Sequence, residues 1–427
     1  MLGYAMMLAI FWLQTQVWSL EECIDKALNC NPALKQQEAT LRQRRNDATL
    51  MLADWLPAVS IRAKSGFSWG RSVDMQELMI IDNRMNYTTT LSAGVSYSLS
   101  DKAARHYDRK AAMLSASSAE AGLAKMQTEL MAEVTAACLQ LLLDEEELDA
   151  AECDLEDISS KYAEKLTRLG AGMATEAELT SIKAQLAAEK ATLAELTGKC
   201  ARARMTLTNL LNLASGENFE ILPPTGDSIP PLPEYHCLDS DTDAVREAEA
   251  AIGSSRMALK AARLSILPDI SISGGYGTYY GNTGNAGIVD QLSSNGNPSL
   301  GFRLEIPLIS GSAALRKVGE ARCAEMKNRL ELDKVRNEMR RKACSDSMDT
   351  VILHGNCIAA GEELAAADEA LAVAERKYGQ GILAWPEYLA ARNARQKARS
   401  RYIQARYKYR MQLKLMEYRY GTEDMCR

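Results

Sequence analysis

Two hexapeptides decide how this chain folds: Leu56-Pro57-Ala58-Val59-Ser60-Ile61 and, about 210 residues later, Leu267-Pro268-Asp269-Ile270-Ser271-Ile272. Each places a Leu-Pro pair before alternating apolar and polar residues. Two further matches follow in the same order and at nearly the same offset, LSAGVSYSL at 91–99 with LGFRLEIPL at 300–308, and Gly-Ala-Gly at 170–172 with Gly-Gln-Gly at 379–381. Three ordered matches indicate an internal tandem repeat.

The matched segments predict four β-strands, two per repeat, at about 57–70, 88–100, 268–280 and 299–309. Apolar and polar residues alternate in each strand, which is typical of a sheet with one wet face. A barrel with lipid outside and water inside satisfies this pattern. Four strands cannot close a barrel alone, because open edges inside a bilayer leave backbone groups unpaired. Several protomers must therefore share one barrel, of about twelve strands or more if solutes are to pass.

The remainder of each repeat predicts a pair of very long helices. In the first repeat, apolar residues recur at spacings of 3, 4 or 7 between about 102 and 212, on both sides of the 170–172 turn, and the second repeat shows the same pattern over about 313–420. Heptad seams of this kind predict antiparallel coiled-coil hairpins. About 65 residues at 1.5 Å each would give a rod of roughly 100 Å.

The chain therefore divides into a leader at 1–19, a first repeat at 20–215, a proline-rich linker at 216–239 and a second repeat at 240–427. The linker contains ILPPTGDSIPPLPEY, whose five prolines forbid a helix. The apolar run Gly3 to Leu13 is too short to span a bilayer and is followed by Val17 and Ser19, which predicts a secretory signal cut near Ser19. No later segment approaches 18 consecutive apolar residues, so a membrane crossing must use strands.

Composition and motifs argue against an enzyme, a nucleic-acid-binding protein and a metalloprotein. Hydrophobic residues make up 47% of the chain but aromatic residues only 6%, and the formal net charge is −6. His106, His236 and His354 are isolated, and no metalloprotease, nucleophile-elbow or phosphate-loop motif is present. The ten cysteines show no CxxC and no zinc spacing, and most fall in helical patterns as small apolar residues. No cofactor or structural metal is expected.

These features together resemble the TolC-type outer-membrane efflux family over nearly the whole mature chain. The resemblance includes the opening Leu20-Glu21-Glu22-Cys23-Ile24, the following Asn31-Pro32, the repeated Leu-Pro before a strand and the glycine-marked helix turns. It implies an α+β membrane protein, a homotrimer whose twelve-stranded β-barrel continues into an α-helical coiled-coil tunnel. It also implies a location in the outer membrane with an extension into the periplasm, where an adaptor (membrane fusion) protein and an inner-membrane pump of the RND or ABC type would deliver substrate.

The resemblance further implies a gate at the periplasmic tip. In the family, a tyrosine three residues before the second turn glycine and acidic residues six and nine after it help to close the tunnel. Counted from Gly381, these positions are Tyr378, Glu387 and Ala390, so the last acidic position is lost, and Leu383 stands where the family has an arginine. Glu178 holds the equivalent acidic position of the first repeat. The turn glycines Gly170, Gly172, Gly379 and Gly381 are expected to contact the adaptor. Tyr378 and Glu387 could equally belong to an ordinary coiled-coil edge and a solvated face.

Two alternatives to efflux stay open. The same tube could serve as the outer-membrane duct of a type I protein secretion system, and the wall of the tube does not identify the cargo. A structural coiled-coil scaffold would explain the heptads, but it would not need an export leader or four alternating strands. Cys23 follows two glutamates, which make a poor lipobox, so we expect no acylation there.

Overall fold

The computed structural model describes residues 16–73, 80–170, 175–214, 219–223, 229–233, 242–282, 287–306 and 311–421. Two compact units emerge. The sheet unit combines Ala39–Ala121 with Ala244–Val335. The helical unit combines the described residues of Met1–Glu38, Gly122–Asp243 and Arg336–Arg427. None of the described helices is long and apolar enough to cross a membrane.

Eight α-helices and six strands make up the described part of the chain. The helices are α1 (Leu20–Cys30), α2 (Pro32–Leu50), α3 (Leu99–Gly170), α4 (Glu176–Leu210), α5 (Asp243–Leu264), α6 (Ile288–Ser294), α7 (Gly311–Gly379) and α8 (Trp385–Tyr420). The strands are β1 (Gln16–Trp18), β2 (Ala58–Val73), β3 (Ile80–Ser98), β4 (Phe219–Ile221), β5 (Asp269–Gly281) and β6 (Asn297–Glu305).

The four long strands form one antiparallel sheet in the order β2-β3-β5-β6. Its register places Val59 opposite Val95, Val95 opposite Gly274, and Gly274 opposite Leu300. Because side chains alternate between the two faces of a strand, the apolar residues of all four strands fall on the same face. That face is uncovered within the chain: Val59 is 71% exposed and Leu300 is 86% exposed.

The strand bounds differ from those predicted at the loop ends. β3 begins at Ile80 rather than near 88, because Ile80 and Ile81 still pair with β2, at Val73 and Ser72, beyond an irregularity after Gly70. β6 runs from Asn297 to Glu305, and positions 307–309 of the predicted strand lie outside the described residues.

The long helices run without interruption for most of their predicted length. α3 contains 72 residues and α7 contains 69, which corresponds to about 100 Å each at the standard rise. α3 begins at Leu99, directly after the last residue of β3, so the chain passes from strand to helix without a loop. The opening helix of the first repeat is divided into α1 and α2 at Asn31-Pro32, since proline suits only the first turn of a helix.

The core of the helical unit lies where α1 packs between the long helices. Its fully buried members include Cys23, Ala27, Val134, Leu207 and Leu211. These side chains come from α1, α3, α4 and the residue that follows α4. The core therefore holds the short N-terminal helix against the first long hairpin.

Part of the predicted linker is folded rather than free. β4 lies inside the 216–239 segment and pairs in parallel with β1. Further along, the Tyr409 hydroxyl donates to the carbonyl oxygens of Pro230 and Pro231 at 3.2 and 3.3 Å. The proline-rich segment cannot form a helix, but its backbone carbonyls still serve as acceptors for α8.

The first described residues fall within the predicted leader at 1–19. Residues 1–15 lie outside the described residues, but Gln16–Trp18 form β1, and Ser19 caps α1 with a reciprocal pair of hydrogen bonds to Glu22. The Trp18 ring stacks on Phe219 at a centroid distance of 5.5 Å and an interplanar angle of 11°. Cleavage directly after Ser19 would remove this strand, the stacking contact and the helix cap, so we expect the leader to be cut before Gln16 and the mature protein to keep Trp18.

Trp18→Ala should lower the free energy of unfolding of the helical unit by about 1–3 kcal/mol, because it removes a stacked aromatic pair that joins β1 to β4. Val17→Ala is the matched control on the same strand, since Val17 is 49% exposed and should change stability by less than about 0.5 kcal/mol. Urea unfolding of the purified protein in detergent measures both. Equal effects would mean that the stacking contact contributes nothing.

Candidate functional site at the turn end of the helices

The candidate site lies where the long helices end and reverse. α3 ends at Gly170 and α4 begins at Glu176, capped by the Thr175 side chain. α7 ends at Gly379, and α8 begins at Trp385 with a proline in its first turn. Gly381 has a φ of +73°, a conformation that favours glycine, which is why the second turn needs this residue. Gly172 lies outside the described residues.

An aromatic cluster fills the space beside the second turn. It consists of Tyr378 from α7 and of Trp385 and Tyr388 from α8, with ring centroids 5.0 to 5.6 Å apart. Trp385 is 2% exposed and Tyr388 is 1% exposed, and both pack with Ile158 of α3 and Ile182 of α4. All four long helices therefore contribute to one apolar contact near the turns.

Lys165 of α3 brings two of the predicted gate residues together. Its ammonium lies 5.2 Å from the centre of the Tyr378 ring and donates to the Glu178 carboxylate at 3.1 Å. The lysine side chain is only 12% exposed, against 35% for Glu178, so this ion pair is partly shielded from water. The first turn (Glu178) and the second turn (Tyr378) are thereby linked through a single cation.

A second lysine makes a similar connection one helical turn earlier. Lys161 donates to the Tyr388 hydroxyl and to Asp157. Burial disfavours the charged lysine, but these hydrogen bonds outweigh it and raise the pKa of Lys161. Burial also raises the pKa of Tyr388, although Lys161 opposes that shift. The tyrosine stays a neutral phenol that accepts from a charged ammonium.

A buried ion-pair network lies further from the turns. Arg392 of α8 is 4% exposed and donates to Glu189 of α4 at 3.1 Å, to Asp157 of α3 at 3.2 Å and to the Asp154 carbonyl at 2.7 Å. Glu189 is equally buried and also accepts from Gln185 and Gln396. Burial raises the pKa of Asp154, and the positive charge of Arg392 counteracts it. The arginine joins the second hairpin to both helices of the first.

The remaining predicted site residues lie apart from this cluster. Glu387 is exposed in the first turn of α8, where its backbone N–H donates to the Ala384 carbonyl. Gly170, Gly379 and Gly381 are also exposed. The structure thus brings Tyr378 and Glu178 together at Lys165 and leaves Glu387 on the surface.

Sequence reasoning missed Lys161, Lys165, Trp385, Tyr388 and Arg392. A signal for three of them was present, because Trp385, Tyr388 and Arg392 are spaced 3 and 4 apart on α8. That spacing places them on one side of a single helix. The two lysines lie four residues apart on α3, and Lys161 pairs with Asp157 on the same helix, but the tyrosines that they contact lie on other helices.

The arrangement suits a mechanical role, since its charged groups pair with one another across helices. Within the described part of the chain, no group of three or more His, Cys, Asp or Glu side chains could hold a metal ion. A shallow cavity of about 220 Å³ beside the turns is lined by Lys161, Lys165, Tyr378, Trp385 and Tyr388 among others.

Most of the chain matches a known protein family, and one curated protein is similar in sequence. The profile of a family described as outer membrane efflux protein matches residues 23–213 and 240–415. Protein CyaE of Bordetella pertussis is 24% identical over 329 residues, which cover 74% of this chain and 66% of that protein. The chain thus spans slightly less than two thirds of the length of this curated relative.

Solved structures show the same fold at low sequence identity. CusC, described in a study of transmembrane channel formation, superimposes with a TM-score of 0.81 at 18% identity, covering 93% of this chain and 91% of its own. The CmeC outer membrane channel of Campylobacter jejuni gives a TM-score of 0.80 at 14% identity, covering 94% and 85%.

Arg392→Leu should lower the free energy of unfolding of the helical unit by about 3–5 kcal/mol, because it leaves the buried Glu189 carboxylate without its cation. Adding Glu189→Leu to the same chain should recover much of the loss, since two apolar side chains replace the ion pair. Arg395→Ala is the matched control: its Asp368 pair is more exposed and should contribute about 0–1 kcal/mol. Thermal unfolding followed by circular dichroism compares them. No recovery in the double variant would contradict this account.

Proposed function

The chain belongs to the outer membrane efflux protein family, and we propose that it is the outer-membrane channel of a tripartite efflux system. It conducts substrates passively across the periplasm and the outer membrane, without an active site. A periplasmic adaptor and an inner-membrane pump of the RND or ABC type supply the substrate and the energy. The description of the matched family, outer membrane efflux protein, supports efflux as the proposed transport.

The observation that carries this proposal is the sheet of β2, β3, β5 and β6. Its apolar face is aligned in register and exposed, and its outer strands, β2 and β6, find no partner strand among the described residues at their free edges. In a bilayer every such backbone group needs a hydrogen-bond partner, so the edges must be closed by further copies of the chain. Three copies give twelve strands, wide enough for a water-filled lumen, whereas an eight-stranded barrel is filled by side chains.

Aromatic side chains support a membrane position for the sheet. Phe67 and Trp69 of β2 lie beside Tyr87 of β3, with ring centroids 6.4 Å apart between Phe67 and Trp69 and 4.9 Å apart between Phe67 and Tyr87. Tyr280 of β5 continues the group at 6.2 Å from Tyr87. Such a band of aromatic rings at one level is typical of a membrane–water interface.

The turn end of the helices forms the gate in this proposal. Tyr378 and Glu178 hold the two hairpins of one protomer together through Lys165, so opening requires this contact to break. Glu387, exposed in three copies around the threefold axis, lines the entrance. The turn glycines Gly170, Gly172, Gly379 and Gly381 allow the tips to contact the adaptor.

The barrel is tested by Val95→Lys, which places a charge on the apolar face. If that face meets lipid at mid-depth, the change costs about 2–4 kcal/mol and reduces the heat-sensitive trimer recovered from outer membranes. Ser96→Lys, one residue along on the opposite face, should assemble normally. Gel electrophoresis with and without boiling measures the trimer. Equal loss from both variants would contradict the assigned facing, and a monomer in the soluble fraction would overturn the proposed function.

The gate is tested by Lys165→Met in planar bilayers. Removing the cation breaks the contact with Glu178 and Tyr378, so single-channel conductance should rise several-fold. Lys199→Met is the matched control, because the pair that Lys199 forms with Glu195 lies exposed on a single helix. Unchanged conductance in Lys165→Met would show that the contact does not close the tunnel.

The same planar-bilayer recordings test whether Glu387 lines the entrance of the channel. A ring of three carboxylates attracts cations, so the channel should be cation-selective and blocked by trivalent cations added from the periplasmic side. Glu387→Ala should weaken both effects without affecting trimer assembly. If selectivity and block persist, Glu387 lies outside the conduction path.

A further inference from the structure

The four strands of the sheet end at different levels on the loop side, the side on which β2 connects to β3 and β5 to β6. β2 and β3 stay paired as far as Val73. β5 ends at Gly281, opposite Thr88 of β3. β6 begins only at Asn297, opposite Gly277 of β5. The sheet therefore steps down from β2 to β6, and the last residues of β5 extend past β6.

The short helix α6 occupies this step beside β5. The backbone N–H of Gly281 donates to the side-chain oxygen of Gln291 at 3.0 Å, and the Gln291 amide donates to the Gly281 carbonyl oxygen at 3.1 Å. Asn295, which follows α6, donates to the carbonyl oxygen of Tyr279 at 2.9 Å. Two side-chain amides thus make the hydrogen bonds that a longer β6 would have made, and they hold α6 at this edge of β5.

α6 leaves two large apolar side chains uncovered on this edge. The Thr278 hydroxyl donates to the Leu292 carbonyl oxygen at 2.7 Å. Thr278 pairs with Leu91 of β3, so its side chain belongs to the apolar face of the sheet and draws α6 toward that face. Ile288 of α6 is nevertheless 50% exposed and Val289 is 74% exposed. The described residues of one chain therefore do not cover them.

We propose that Ile288 and Val289 pack against the loop-side part of β2 in a second copy of this chain, so that α6 seals the seam between two protomers. The proposal rests on the oligomeric channel proposed above. In a closed ring of three identical copies, the free edge of β6 in one copy meets the free edge of β2 in the next. The helix that continues the β6 edge therefore faces β2 of that next copy.

The lengths of the two strands leave room for α6 at this seam. β2 contains 16 residues and β6 contains 9, so at least seven residues of β2 extend past β6 wherever the two strands pair. Phe67 and Trp69 lie in the loop-side half of β2 and are 57% and 75% exposed. They lie on the same face as Ala63, which pairs with Leu91. Apolar side chains that are exposed in each single copy would thus cover one another in the ring.

Lipid is the other environment in which Ile288 and Val289 would be covered. α6, however, is bound through Gln291 to edge backbone groups of β5, and not over the middle of the sheet. Beyond that edge the next element of a closed ring is a strand. The position of α6 therefore favours a second copy over lipid.

Photo-cross-linking distinguishes the two environments. Val289→p-benzoylphenylalanine is introduced into the full chain, which is expressed with a second, differently tagged copy, and the cells are irradiated. We expect a covalent dimer that carries both tags and survives boiling, with its cross-linked peptide in the loop-side half of β2. Ser96→p-benzoylphenylalanine is the matched control and should give several-fold less dimer, because β3 is flanked on both sides by strands of its own chain. Ile288→p-benzoylphenylalanine replaces the first variant if that one fails to assemble.

The outcomes separate the seam from the proposed function. A trimer that forms no inter-chain cross-link from α6, or that is cross-linked there only to lipopolysaccharide or within one chain, overturns the seam and leaves the channel intact. If the wild-type chain forms no oligomer in the outer membrane, the channel proposal fails. The seam then fails with it, because its partner is a second copy.

Discussion

The free edges of the sheet set the main constraint on this molecule. β2 and β6 each present a row of backbone N–H and C=O groups along an edge that no described strand occupies. In water such edges invite aggregation, and in a bilayer each unpaired group costs several kcal/mol. Copies of the chain that pair edge to edge would satisfy these backbone groups. The apolar face of the shared sheet would then lie against lipid. In the proposed channel, oligomerisation is therefore a condition of folding.

In the helical unit, the constraint is the register of very long helices that pack side by side. Apolar seams alone allow neighbouring helices to slide, because many positions along the seam are similar. Here the buried Arg392 network and the lysine contacts to Tyr378 and Tyr388 add directional interactions. Buried polar contacts have few geometries that satisfy every partner, so they fix the register of the helices. The lysine contacts lie beside the turns, where a gate would need them.

The far end of the same unit is held together by small contacts from distant parts of the chain. β1 pairs with β4, the Tyr409 hydroxyl donates to the proline-rich segment, and Cys23 and Cys138 are buried in one apolar cluster. Each joins residues far apart in sequence, so closing these loops costs conformational entropy that only the assembled core repays. The proline-rich segment at 216–239, which its composition predicts to be a linker, is therefore partly folded.

The sequence by itself determined the elements. Alternating residues gave the four strands, heptad spacing gave the long helices, and the glycine repeats marked their turns, because these signals depend on periodicities of 2 and 3.6 along the chain. Tertiary structure alone decided which side chains meet. Lys165 reaches Glu178 and Tyr378, and Arg392 reaches Glu189, across helices whose relative rotation and register no local pattern encodes. By their distance from Gly381, Glu387 and Tyr378 are equivalent candidates. Glu387 is exposed, whereas Tyr378 packs in the aromatic cluster. Burial depends on the neighbouring helices rather than on distance from a glycine.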